Sequence, residues 1–86
     1  MSDSEAFVYL LRCRDGSLYC GWTSDLERRL RAHAAGTASR YTRARRPVEL
    51  AWSAPMGSRS EAMREEARIK RLSRDEKLRL ARSRPR

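Results

Sequence analysis

Apolar, β-prone residues run from Ala6 to Cys13, break at Arg14-Asp15-Gly16 and resume from Ser17 to Trp22, which is the pattern of a β-hairpin. Two registers are open to it. A two-residue Asp15-Gly16 loop would pair Tyr9 with Trp22 and put Tyr19 on the opposite face. A three-residue loop with Gly16 left-handed in a bulge pairs Leu11 with Tyr19 and Tyr9 with Gly21, so that all four share one face. The second register is the expected one.

After the hairpin the pattern changes to helical spacing, punctuated by three capping boxes: Ser24-x-x-Glu27, Ser58-x-x-Glu61 and Ser73-x-x-Glu76. The first helix, about Asp25 to Ala35, is expected to bury Leu26, Leu30 and Ala34 and to end at Gly36. A polar loop follows from Gly36 to Arg46, carrying Arg40, Tyr41, Arg43, Arg45 and Arg46 and no acid. Val48 to Ala54 reads as a third strand closed by Pro55 and Gly57. Two helices complete the chain, with residues 82–86 expected to fray. There is no internal repeat. The pattern predicts one domain over residues 1–86 (core about 6–80) of the α/β (α+β) class: a three-stranded antiparallel sheet flanked by three helices in the order β-β-α-β-α-α.

The 86 residues carry 20 Lys plus Arg against 11 Asp plus Glu, a formal net charge of +9. So positive a field on so small a surface attracts polyanions, and nucleic acid is the expected partner, its backbone contacted by Arg40, Tyr41, Arg43, Arg45 and Arg46 of the polar loop. Only Lys70 and Lys77 are lysines; the Arg excess fits bidentate phosphate contacts and fits a GC-rich codon bias equally well. Apolar runs such as Phe7 to Leu11 are far below membrane-spanning length and the first five residues are acidic, so a cytoplasmic protein with no membrane partner is expected. Cys13 and Cys20 read as buried thiols, and a single histidine, His33, argues against structural zinc.

Winding the second helix at ~100° per residue gathers Ala62, Met63, Ala67, Ile69 and Leu72 into an apolar arc with Glu66 near its middle. A carboxylate there calls for a cation, a metal or a cleft; an ion pair with an Arg of another element would satisfy it equally. Glu65 lies at the edge of the arc. On the first helix Arg29 and His33, four apart, are neighbours on one face. Taken singly, Tyr9 and Tyr19 are ordinary packing aromatics, and the loop arginines an ordinary solvated surface.

In series they resemble the GIY-YIG nuclease superfamily. Phe7-Val8-Tyr9 and, ten residues on, Tyr19-Cys20-Gly21 resemble its two naming tripeptides; Arg29 and His33 follow at ten and fourteen residues. Ser39 to Pro47 and Glu61 to Lys70 resemble its small stand-alone bacterial branch, and the likeness spans about residues 6 to 80. The first tripeptide keeps only its tyrosine, and the chain has no Asn or Gln, although some relatives carry a late active-site Asn. The resemblance implies a DNA endonuclease, of a kind that includes repair enzymes, in which water attacks phosphorus with tyrosine assistance. It makes Tyr9 and Tyr19 the active-site tyrosines, Arg29 the phosphate-directed cation, His33 an auxiliary acid or base, and Glu66 the ligand of one Mg²⁺ or Mn²⁺, all converging on one concavity. The alternative is a catalytically silent nucleic-acid-binding module, which needs only the fold and the basic loop.

Overall fold

The computed structural model describes residues 6–83. In chain order these form β1 (Ala6–Arg12), β2 (Leu18–Thr23), α1 (Leu26–Ala35), α2 (Arg40–Arg43), β3 (Glu49–Met56), α3 (Arg59–Lys70) and α4 (Arg74–Ser83). The sheet is antiparallel in the order β2-β1-β3. The expected order of elements holds, with four helices rather than three.

Turn chemistry sets the hairpin register. Gly16, at φ 87°, occupies the left-handed region that favours glycine, and the Cys13 amide donates to the Ser17 carbonyl around the three-residue loop. Tyr9 therefore pairs with Gly21 and Leu11 with Tyr19. On the other side β1 pairs with β3 through a shift between Leu10 and Leu11 that leaves Ala51 without an opposite number. β3 starts one residue later and runs two further than the pattern suggested, through Pro55; an edge strand tolerates a residue without an N–H.

Alternation along β1 divides the sheet's two faces. Ala6, Val8 and Leu10 point with Cys20 and Trp52 into the core, where Ala62 and Ile69 of α3 close over them. Tyr9 and Leu11, both buried, face the other way. Leu72, Leu80 and Ala81 extend the core along the end of α3 and α4.

The helices depart from the expected pattern in several places. Asp25, not Ser24, caps α1, its carboxylate accepting the Arg28 amide. The residue α1 buries is His33; Leu26 and Leu30 are half-buried and Ala34 is exposed. The segment between Gly36 and Arg46 is not all loop, since Ser39 caps the one-turn helix α2. On α3, Met63 is 52% exposed and Ala67 is exposed as well. A three-stranded sheet is too narrow to cover a wide arc, so α3 buries one line, Ala62 to Ile69, with Glu65 and Glu66 half-buried along it. The Ser58 and Ser73 caps form as expected, each hydroxyl accepting the amide three residues on. Arg82 and Ser83 belong to α4 rather than to a frayed tail; the rest of that tail, and the acidic start, lie outside the described residues.

The narrow buried line has a measurable consequence. Ile69→Ala empties a fully buried site and is expected to cost about 2–5 kcal/mol in denaturant unfolding, whereas Met63→Ala on the same helix should stay within about 0.5 kcal/mol. Equal effects would restore the broad arc.

Candidate active site

Tyr9 occupies the centre of the sheet face opposite the core, and its placement depends on Gly21. A Cβ built on Gly21 would lie 2.6 Å from the Tyr9 hydroxyl oxygen and 2.7 Å from Cζ. The ring thus lies across a strand position where no side chain fits. Its hydroxyl lies 2.8 Å from His33 Nε2, and His33 Nδ1 lies 2.8 Å from Thr42 Oγ1. Thr42 in turn meets Ser39, the cap of α2, Oγ to Oγ at 2.9 Å. Tyr9, His33 and Thr42 are 2%, 1% and 0% exposed, so this chain of polar groups runs through the interior.

Burial decides the protonation of the first two. Desolvation, with the neighbouring Tyr19 adding to it, raises the Tyr9 phenol well above its ordinary value despite Arg29. Desolvation and then Arg29 lower His33 below the ordinary histidine value. At neutral pH the pair is a neutral phenol against a neutral imidazole. Cys20, on the opposite face, is pushed up to about 12, first by burial and then by the Glu66 carboxylate, and so stays a thiol.

A cleft of about 330 Å³ opens beside Tyr9, lined by Tyr9, Tyr19, Gly21, Trp22, Thr23, Ser24, Arg29, Arg59 and Glu66. Gly21 and Trp22 are successive residues with opposite directions, so the cleft wraps the edge strand β2, with α1 supplying Arg29 and α3 supplying Arg59 and Glu66. Tyr9, Tyr19, Arg29 and Glu66, which the sequence singled out, meet there. His33 does not line the cleft; it sits behind Tyr9, with its ring edge-on to Tyr19 at 5.4 Å. Arg59 was missed, although it stands seven residues before Glu66 and so on the same face of α3 two turns earlier. Thr42 was missed too, because nothing in the linear pattern ties it to His33.

Glu66 keeps 22% of its side chain exposed and meets Lys70 of its own helix at 3.3 Å, not an Arg of another element. Glu65 is held by Arg68 at 2.6 Å and lies outside the cleft. Among the described residues no three His, Cys, Asp or Glu side chains are grouped to hold a metal. One carboxylate at an open cleft fits a Mg²⁺ that keeps most of its water and shares substrate oxygens; it does not fit a closed protein cage.

The basic segment divides in two. Arg45 bonds the Asp15 carboxylate at 3.0 Å and the Tyr41 carbonyl at 3.1 Å, and its guanidinium lies 3.7 Å from the centre of the Tyr41 ring. Ser17 donors first, and Arg45 with them, hold Asp15 below its ordinary value. Tyr41 also stacks on Tyr19 at 5.8 Å, so its ring is engaged within the protein. Arg46 donates to the carbonyls of Arg43 and Ala34. Arg40 and Arg43, exposed on α2, form no ion pair among the described residues and line a separate surface hollow.

A small antiparallel sheet bearing paired tyrosines, with helical arginines and one carboxylate around a cleft, is the layout that the resemblance to GIY-YIG nucleases implies. The family model described as the GIY-YIG catalytic domain matches residues 5–79, and the chain belongs to that family. Among its relatives are UPF0213 proteins. One from Oceanobacillus iheyensis is 51% identical over 78 residues, covering 91% of each chain; one from Nitratidesulfovibrio vulgaris is 54% identical, covering 90% of this chain and 70% of that one. The fold is also that of the solution structure of a UPF0213 protein from Bacillus halodurans, at TM-score 0.57 and 45% identity over 87% of this chain and 80% of that one. A second solution structure, from E. faecalis, matches at TM-score 0.60 and 40% identity, covering 92% and 83%.

Two expectations follow from the buried pair. Because His33 is depressed when folded, the unfolded chain takes up a proton just below about pH 6.5 that the folded chain refuses. Stability should therefore fall as pH drops from about 7 to 5.5, above the range where the carboxylates titrate, and the fall should be smaller in His33→Gln when melting is followed at both pH values. Gly21→Ala is expected to fold with a displaced Tyr9 ring and a cost of about 1–3 kcal/mol; an unmoved Tyr9–His33 contact in its NMR spectrum would contradict the packing argument.

Proposed function

We propose that the protein is an endonuclease that hydrolyses phosphodiester bonds, with DNA as its substrate. The observation that carries the reading is the cleft at the β2 edge, where two guanidinium groups, two phenols and one carboxylate face a common space. Arg29 and Arg59 bind the phosphate oxygens and stabilise the pentavalent phosphorus. Tyr9 cannot serve as a ready phenolate, and it need not. As water attacks phosphorus, its proton passes to the Tyr9 oxygen while the Tyr9 proton passes to His33 Nε2, so the phenol is neutral before and after. The P–O3′ bond breaks, a 5′-phosphate remains, and the departing oxygen takes a proton from solvent in the open cleft. Tyr19, half-buried at the cleft wall, orients the nucleophile. Glu66 would hold a Mg²⁺ or Mn²⁺, and the bound ion supplies further neutralisation of phosphate charge.

The test is cleavage of labelled single-stranded, duplex and flap DNA, and matched RNA, with Mg²⁺ and with a chelator. The wild-type protein is expected to cut DNA only with the metal. Glu66→Ala should lose about 100-fold or more in rate, while its melting changes little, since the exposed Lys70 pair contributes only about 0.3–0.5 kcal/mol. A Glu66→Ala protein that folds and still cuts removes the metal assignment; a wild-type protein that binds every substrate and cuts none makes this a binding module.

Binding has its own expected signature. Replacing Arg40 and Arg43 with Ala should weaken affinity alike for all sequences and reduce the salt slope by about 0.7–0.9 per lost contact. An unchanged slope would take α2 out of the interface.

A further inference from the structure

We propose that Thr42 is a positioning residue: through His33 it fixes the imidazole tautomer whose bare Nε2 accepts the Tyr9 hydroxyl proton. The consequence for rate rests on the hydrolytic reading above; the geometry stands apart from it.

The tautomer turns on which way the single Thr42 hydroxyl proton points. Thr42 Oγ1 has one proton to give and two kinds of neighbour: His33 Nδ1 at 2.8 Å, and Ser39, whose Oγ is 2.9 Å away and whose carbonyl is 3.5 Å away. The Ser39 carbonyl only accepts, so its contact is made by the Thr42 proton, while Ser39 Oγ accepts the Thr42 amide at 3.1 Å as the cap of α2. With the Thr42 hydroxyl turned toward Ser39, a lone pair faces Nδ1, and only an Nδ1–H satisfies it. Nε2 is then unprotonated. The Tyr9 hydroxyl, whose sole hydrogen-bond partner among the described residues is that nitrogen, donates to it. The opposite tautomer would set Nε2–H against the Tyr9 oxygen and leave the phenol proton with no protein acceptor, and the relay from water through Tyr9 would have nowhere to end.

The arrangement also gives α2 a reason to be helical. One turn capped by Ser39 brings a hydroxyl three residues later beneath the imidazole, fully buried, where an extended loop would leave Nδ1 facing backbone of no fixed direction.

His33 is the only histidine, so its imidazole nitrogens can be read in a long-range proton–nitrogen spectrum of uniformly ¹⁵N-labelled protein without assignment. At pH ~7.5, well above the ordinary histidine value, the wild-type chain is expected to show protonated Nδ1 and unprotonated Nε2. Thr42→Ser should keep that spectrum and cleave within about threefold of wild type. Thr42→Val, which keeps the shape and loses the hydroxyl, should show mixed tautomers and a kcat about 10- to 100-fold lower with KM unchanged. A wild-type spectrum with protonated Nε2 overturns the proposal whether or not Thr42→Val folds, and so does a folded Thr42→Val with wild-type tautomer and kcat. If the wild-type spectrum is as expected and no substrate is cut, the positioning of His33 is supported and the hydrolytic reading is the part that fails.

Discussion

The Tyr9 ring lies across Gly21, in space that any other side chain at that position would fill, and much of the molecule is arranged around this contact. The hairpin must adopt the bulged register, because a shift of one residue would set Trp22 opposite Tyr9. α1 must present a polar residue inward, because a buried phenol without a partner is costly; hence the one buried residue of α1 is His33. A buried imidazole has two nitrogens to satisfy, and the second recruits Thr42 and the cap of α2. Each polar group admitted to the interior requires the next, until the chain of bonds reaches the surface at Ser39.

Much of this was legible because local rules and tertiary needs agree. Asp15-Gly16 marks the turn and narrows the hairpin to two registers, and the one with Gly16 left-handed in a three-residue loop puts both tyrosines on one face. Ser58 and Ser73 mark the starts of α3 and α4 by a rule that operates within one helical turn. Glu66 stood out because a carboxylate on the inward side of a helix demands an explanation, and the cleft provides one: it is half-buried with its side chain directed to the β2 edge.

What stayed hidden depends on distances that no local pattern encodes. The apolar arc of α3 looked broad because the sequence shows which residues are apolar and says nothing of how wide a sheet will meet them; Met63 and Ala67 fall beyond its cover. Ala34 looked like a core residue for the same reason. Arg45 read as a contact for nucleic acid, yet its guanidinium is held by Asp15, thirty residues away at the hairpin tip. Thr42 needed the fold itself, since its partner His33 comes from another element, whereas Arg59 shares a face of α3 with Glu66 and was passed over because an arginine is not unusual there.

β1 is the middle strand and serves two sides at once: Ala6, Val8 and Leu10 supply the core, and Tyr9 and Leu11 the opposite face. No position between Ala6 and Leu11 is spare. Gain or loss of one codon within this stretch would exchange the two sides for every residue beyond it, sending a phenol into the packing against α3 and an aliphatic chain toward His33. Within β1 the constraint therefore falls on codon insertions and deletions more severely than on substitutions.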